Sequence, residues 1–150
     1  MFGPDDAFLN TLAALARRLP VLPLFGRGET RLQPVFVGDV AQAVAQALTD
    51  PRAPGSVYAL GGPQVYSYRE LIRLVLRHTG RWRRLLPVPF VLWEGLAAAA
   101  GVLPSPPLTE GQVALMRRDN VAAPQAPGLA ELGITPTPIE AILGQLPGPS

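Results

Sequence analysis

Proline and glycine decide how this chain can be divided into structural elements. Its 18 prolines and 15 glycines gather around 20–28, 51–62, 104–107 and 124–128. Each cluster ends one regular segment before the next begins, so the pattern is punctuation between short elements and not low complexity. A chain of 150 residues that is 48% hydrophobic and 16% charged suits one domain with a real core and lies outside the disordered range. The longest apolar stretch, 88–103, is interrupted by Glu94, Gly95 and Gly101 and is too broken to span a bilayer. The N-terminus, Met-Phe-Gly-Pro-Asp-Asp, has neither the basic flank nor the hydrophobic run of a signal peptide. A soluble, cytoplasmic product is expected, with 147–150 frayed.

The residue types exclude many chemistries. With no cysteine, disulfides, thiolate metal sites and cysteine nucleophiles are ruled out. All 13 basic residues are arginine. Schiff-base chemistry, a phosphate-loop lysine and a Tyr-x-x-x-Lys dyad therefore have no lysine to use. His78 is the one imidazole, too few for a multi-histidine metal site. No catalytic residue and no metal ligand is expected.

Periodicity and end signals predict the elements. Pro4, Asp5 and Asp6 suit a helix start, and Phe8, Leu12, Leu15 and Leu19 recur at helical spacing, so a helix is expected over about 5–18. Short strands are expected at 21–25, 33–37, 57–60 and 84–88, with prolines marking edge or irregular pairing. Gly26-Arg27-Gly28 reads as a turn, because it lacks the third glycine and the following helix of a dinucleotide fingerprint. Asp39 with Gln42 resembles a capping box opening a helix at 40–48, and Ser67 with Glu70 opens another, running to about Thr79. Leu71, Leu74, Val75 and His78 are assigned to the inner face of that second helix, with Gly80 stopping it. Further helices are expected at 90–101, 109–118 and 137–146, with a short turn at 129–132. The first half alternates strand and helix and the second is mainly helical, which is an α/β pattern.

Seven segments resemble, in order, the NAD-dependent epimerase/dehydratase branch of the short-chain dehydrogenases. They are Phe2-Gly3-Pro4-Asp5-Asp6, Gln33 to Ala41, Tyr58-Ala59-Leu60-Gly61-Gly62-Pro63, Tyr68-Arg69-Glu70-Leu71, Pro87-Val88-Pro89-Phe90, Leu108-Thr109 with Gln112, and Asp119-Asn120-Val121. The nearest resemblance is to the atypical group related to the complex I NADH:ubiquinone oxidoreductase alpha-subcomplex accessory subunit. It implies the C-terminal portion of a Rossmann-type NAD(P)-binding protein: a few strands plus a mostly helical substrate-side subdomain. The glycine-rich half would be absent, with Met1 standing where relatives carry a small apolar residue. NAD or NADP would belong to the intact protein, and none is expected on this chain alone, which should be inactive. Phe2, Gly3 and Pro4 would lie near the cofactor, while Arg31, Gln33 and Asp39 would shape the substrate or partner surface. Relatives that act on nucleotide sugars place an arginine where this chain has Leu32, and Arg31 is one residue off, on the other face of a strand.

Two further readings stand beside an inactive oxidoreductase fragment. One is a non-catalytic complex I-type accessory or assembly protein with structural dinucleotide, peripheral to a respiratory membrane complex. The other is a small independent interaction domain. Arg69, Arg73 and Arg77 stand four apart on one helix; they make a solvated face or a contact for an acidic protein or anionic lipid. Nucleic acid is not expected, because no aromatic residues interleave the stripe. The lost Rossmann half would also leave strand edges open, so self-association is expected.

Overall fold

A computed structural model describes residues 1–3, 7–80, 82–100 and 109–144. Pro4, Asp5 and Asp6, Arg81, the proline-rich 104–107, Leu108 and the terminus 147–150 lie outside the described residues. In chain order the elements are α1 (Ala7–Arg18), β1 (Val21–Phe25), β2 (Arg31–Leu32), α2 (Val37–Thr49), β3 (Tyr66–Ser67), α3 (Tyr68–His78), β4 (Arg84–Val88), α4 (Phe90–Ala100), α5 (Glu110–Leu115), a 3-10 turn at Ala130–Leu132, and α6 (Ile139–Leu143). The class is α/β, as the alternation predicted. The residues form two compact units: Met1–Thr11, Gln33–Val65 and Val121–Ser150 make the first, and Leu12–Leu32 with Tyr66–Asn120 the second.

The second unit is organised by β1 and β4, which pair in parallel with Val21 opposite Arg84 and Phe25 opposite Val88. Parallel neighbours need a long crossover, and α3 lies within it. Both strands are edges of a two-stranded sheet, which is why each tolerates a proline, Pro23 and Pro87, without an N–H to give. Leu22 and Leu24 are fully buried, as are Ile72 and Val75 of α3. The capping box of α3 forms as expected: Ser67 Oγ accepts from Glu70 N at 3.2 Å, and Glu70 Oε2 accepts from Ser67 N at 2.7 Å. The Ser67 N–H, then the Ser67 hydroxyl donating to Glu70 Oε2 at 2.8 Å, hold the Glu70 carboxyl below its usual range. The buried face of α3 is Tyr68, Leu71, Ile72, Val75 and Leu76. His78, expected inside, is exposed: the core-facing row continues from Val75 to the buried Thr79, and His78 points to its side. The turn at Gly26 and Gly28 is also as expected, with φ of +55° and +74°, a conformation glycine adopts without strain.

Tyr68 opens α3 from inside the core, 5% exposed, with its ring 5.7 Å from that of Phe25. Phe25 also meets Trp93, tilted at 4.4 Å, and stacks with Phe90 at 6.5 Å. Burial pushes the Tyr68 phenol up to about 12 from 10.0. The folded value lies above the unfolded one, so this contribution to stability is complete below pH 10 and is lost as pH rises from 10 toward 12. At 1.36 kcal/mol per unit, the loss is about 2–3 kcal/mol. Chemical denaturation at pH 8 and pH 11.5 checks it: Tyr68→Phe should lack the alkaline loss, and an equal loss in both proteins would sink the assignment.

The first unit has a core of Val35, Ala43, Leu129, Leu132 and Ile134, with Val40, Tyr58 and Leu60 packed against it. Two expected strands do not form here. Residues 33–35 and 57–60 carry no strand. Phe36 makes only an isolated parallel bridge to Phe2, and Ala59 N bonds Pro127 O at 2.9 Å. The apolar content that suggested strands reflects burial of Val35, Tyr58 and Leu60, while the backbone finds no ladder partner; Pro34 has no N–H to offer one. The helix expected from 40 begins at Val37, with Phe36 as its N-cap residue and no side-chain cap. At the other end of the chain, α5 is shorter than its expected span and carries its own capping box, Thr109 with Gln112.

Candidate functional site

The segment joining Gln33 to α2 brings together most of the residues singled out in the sequence. Phe2 runs parallel to it: Phe2 N donates to Val35 O and Val37 N donates to Phe2 O, both at 2.8 Å. The Phe2 ring is buried, 5.8 Å from that of Phe36. Gly3 lies so near α2 that a Cβ would stand 2.8 Å from Val37 Cγ1, which explains a glycine there. Phe2 and Gly3 thus form one corner with the first turn of α2; Pro4 lies outside the described residues.

Asp39 sits in that first turn, and its role differs from the expected one. It does not cap α2, because the helix already began at Val37. It is 5% exposed, and its carboxylate accepts from Thr137 N at 2.7 Å and Thr137 Oγ1 at 2.8 Å. A negative charge near a helix N-terminus is favourable, and here it also ties residue 137 to α2. Thr137 is the partner that sequence reasoning missed; at a separation of 98 residues no local signal points to it.

Gln33 works as a second tie. Its Nε2 donates to Gly62 O at 2.8 Å and its Oε1 accepts from Ala122 N at 2.9 Å. One amide thereby joins Gln33, the Gly-Gly-Pro loop and the segment after Asn120. Gly61 and Gly62 are small because this approach is close: a Cβ on Gly62 would overlap Pro34 O.

Arg31 belongs to the second unit. Its guanidinium Nε bonds Asp119 Oδ2 at 2.9 Å and its backbone N bonds Asp119 Oδ1 at 2.8 Å. The backbone N–H, then the side chain, lowers the Asp119 carboxyl below its usual value. Asn120 N closes the pairing on Arg31 O at 2.8 Å. Asp119-Asn120 therefore secures β2. Among the described residues no cluster of carboxylates and histidine could hold a metal ion.

A cleft of about 340 Å³ in the second unit is lined by Arg69, Arg73, Arg77 and Arg83 with Trp82. Arg69 donates to Arg27 O at 3.0 Å and 2.6 Å. Trp82 is 89% exposed, so the arginine stripe does have an aromatic neighbour, contrary to expectation. It was hidden because it lies beyond the Gly80 turn, off the helical repeat.

No family model matches the sequence. The chain is 35% identical over 142 residues to the mitochondrial NADH dehydrogenase (ubiquinone) 1 alpha subcomplex subunit 9 of Rattus norvegicus, covering 93% of this chain and 37% of that protein. It is 32% identical over 143 residues to the mitochondrial NADH-ubiquinone oxidoreductase 40 kDa subunit of Neurospora crassa, covering 93% and 36%. The chain is homologous to the C-terminal part of these complex I subunits. It spans little more than a third of their length. Citrobacter sp. triphenylmethane reductase, solved with NADP(H), superposes with a TM-score of 0.71 at 22% identity, over 94% of this chain and 49% of that one. That likeness shows the fold: the chain has the architecture of part of a Rossmann-type protein, as expected from the sequence.

Proposed function

We propose that this chain is the partner-facing, substrate-side part of a complex I-type subunit, working with a dinucleotide-binding Rossmann half. The observation that carries this reading is the alignment of nearly the whole chain with the C-terminal part of the alpha subcomplex subunits. In this reading the Rossmann half holds NAD or NADP, and the corner of Phe2 and Gly3 lies beside it, where one parallel bridge to Phe36 supplies an edge for further strands. Arg31 supplies exposed partner surface, while Gln33 and Asp39 keep the surface in shape through their bonds to Gly62, Ala122 and Thr137. The dinucleotide is structural, and the location is peripheral to a respiratory membrane complex.

A second reading, an NAD(P)-dependent epimerase-like oxidoreductase whose C-terminal part this is, is favoured by the reductase fold. Both readings expect no turnover from the chain alone. A tagged chain expressed in its native host should migrate with the NADH dehydrogenase band on native gels of solubilised respiratory membranes. The isolated chain should show no saturable rise in melting temperature with NADPH or NADH. Absence from the dehydrogenase band would sink the subunit reading; a saturable rise at micromolar dinucleotide would sink the assignment of binding to another half.

A further inference from the structure

We propose that the arginine cleft of α3 is a docking surface for an anionic phospholipid membrane, with Trp82 as its interfacial anchor and Arg73 and Arg77 taking the headgroup phosphates. Four guanidinium groups line this cleft and no carboxylate does. Two of them are oriented by the protein itself. Arg69 is fixed on Arg27 O, and Arg83 donates to Ala16 O at 2.9 Å and Trp82 O at 3.0 Å. Bonds to carbonyls position these groups without neutralising them. Arg73 and Arg77 are exposed, and none of the three ion pairs among the described residues includes them.

Like charges one helical turn apart destabilise a helix; the carboxylate nearest Arg73 on α3, Glu70, feels its charge but is engaged by Ser67 and leaves Arg77 unbalanced. The convergence complements a surface carrying many phosphates. Trp82 selects the membrane over an acidic peptide. Its 89% exposure leaves a large apolar ring in water, and tryptophan, apolar in body with a donor at one end, suits the headgroup boundary. Arginine stems can lie along the same boundary while their heads stay polar. The buried face of α3 is committed to the core, so the contact is peripheral; among the described residues no helix is long and apolar enough to cross a membrane. A single tryptophan also offers no row of rings on which successive bases could stack.

The surface does not depend on the subunit assignment, and its test reads lipid binding alone. The full chain is sedimented with phosphatidylcholine vesicles, with and without phosphatidylserine at about a third of the lipid. Binding is expected only to the anionic vesicles, and should be lost in high salt. Tryptophan emission should shift to the blue on binding and not do so in Trp82→Phe. Trp93, whose Nε1 bonds Leu24 O at 3.0 Å, remains in that variant to report an intact fold. An Arg73→Gln, Arg77→Gln double variant should partition roughly thirty-fold more weakly, since each arginine contributes on the order of five-fold at an anionic surface. The proposal is overturned by equal binding to neutral vesicles, by unchanged partition of the double variant, or by unchanged emission on vesicle addition. Binding to polyglutamate or polyuridylate without binding to anionic vesicles overturns it too.

Discussion

Asp39→Ala is expected to destabilise the first unit by about 3–4 kcal/mol, because it removes two charge-assisted hydrogen bonds from a buried site. The side chain is 5% exposed, and both of its oxygens are engaged by Thr137. Alanine strands the Thr137 amide and hydroxyl, and also removes a negative charge from the first turn of α2. Asp39→Asn keeps an acceptor for the amide and should lose roughly half as much, while Thr137→Val loses the hydroxyl bond to the carboxylate alone, at about 1.5–2 kcal/mol. Denaturant unfolding, with hydrogen exchange at α2 and α6 amides, reads the effect. A loss below about 1 kcal/mol for Asp39→Ala would show that the bonds to Thr137 contribute little and that the carboxylate is free for another partner.

Gly62→Ala should cost 3 kcal/mol or more, about the upper range for overpacking, because the added methyl meets backbone and not a flexible side chain. The obstacle is Pro34 O. Pro34 has little room to retreat, since the next residue is held by the bond from Phe2 N to Val35 O and Val35 lies in the core. Gly61→Ala meets only the Gln33 amide, at 2.5–2.8 Å. Displacing that amide breaks its bonds to Gly62 and Ala122, so a loss of about 1–2 kcal/mol is expected. Gly144→Ala is the control: nothing lies within 4 Å of its added Cβ. Melting curves of the three variants should rank Gly62, Gly61, Gly144 in order of loss; a harmless Gly62→Ala would mean that the Gln33–Gly62 contact is looser than described.

Much of the second unit was legible in the sequence, because local signals there agree with one another. The Ser67–Glu70 capping box, the Gly80 stop and the glycine turn before Arg31 each act over a few residues. In the first unit the governing contacts are distant. Asp39 next to an apolar strand-like run looks like a cap, yet its partner is Thr137, and Gln33 reaches Ala122 across 89 residues. Apolar runs at 33–37 and 57–60 signalled core positions at Val35, Tyr58 and Leu60, though Val37 and Val57 are exposed, and not hydrogen bonding, because a ladder needs a neighbour that composition does not reveal. The arginine stripe was visible at helical spacing, whereas Trp82, which gives it a second chemical character, lies outside that repeat.

The weaving of the two units through the chain also governs how the protein can be made. Neither unit corresponds to a continuous stretch: the first draws on residues before 12, between 33 and 65, and after 120. A ribosome releasing this chain therefore delivers Asp39 and Gln33 long before Thr137 and Ala122 exist to receive them. The apolar surfaces of Val35 and Ala43 must wait for Leu129, Leu132 and Ile134. Such late closure slows folding and leaves the nascent chain dependent on protection from aggregation until its last segment emerges.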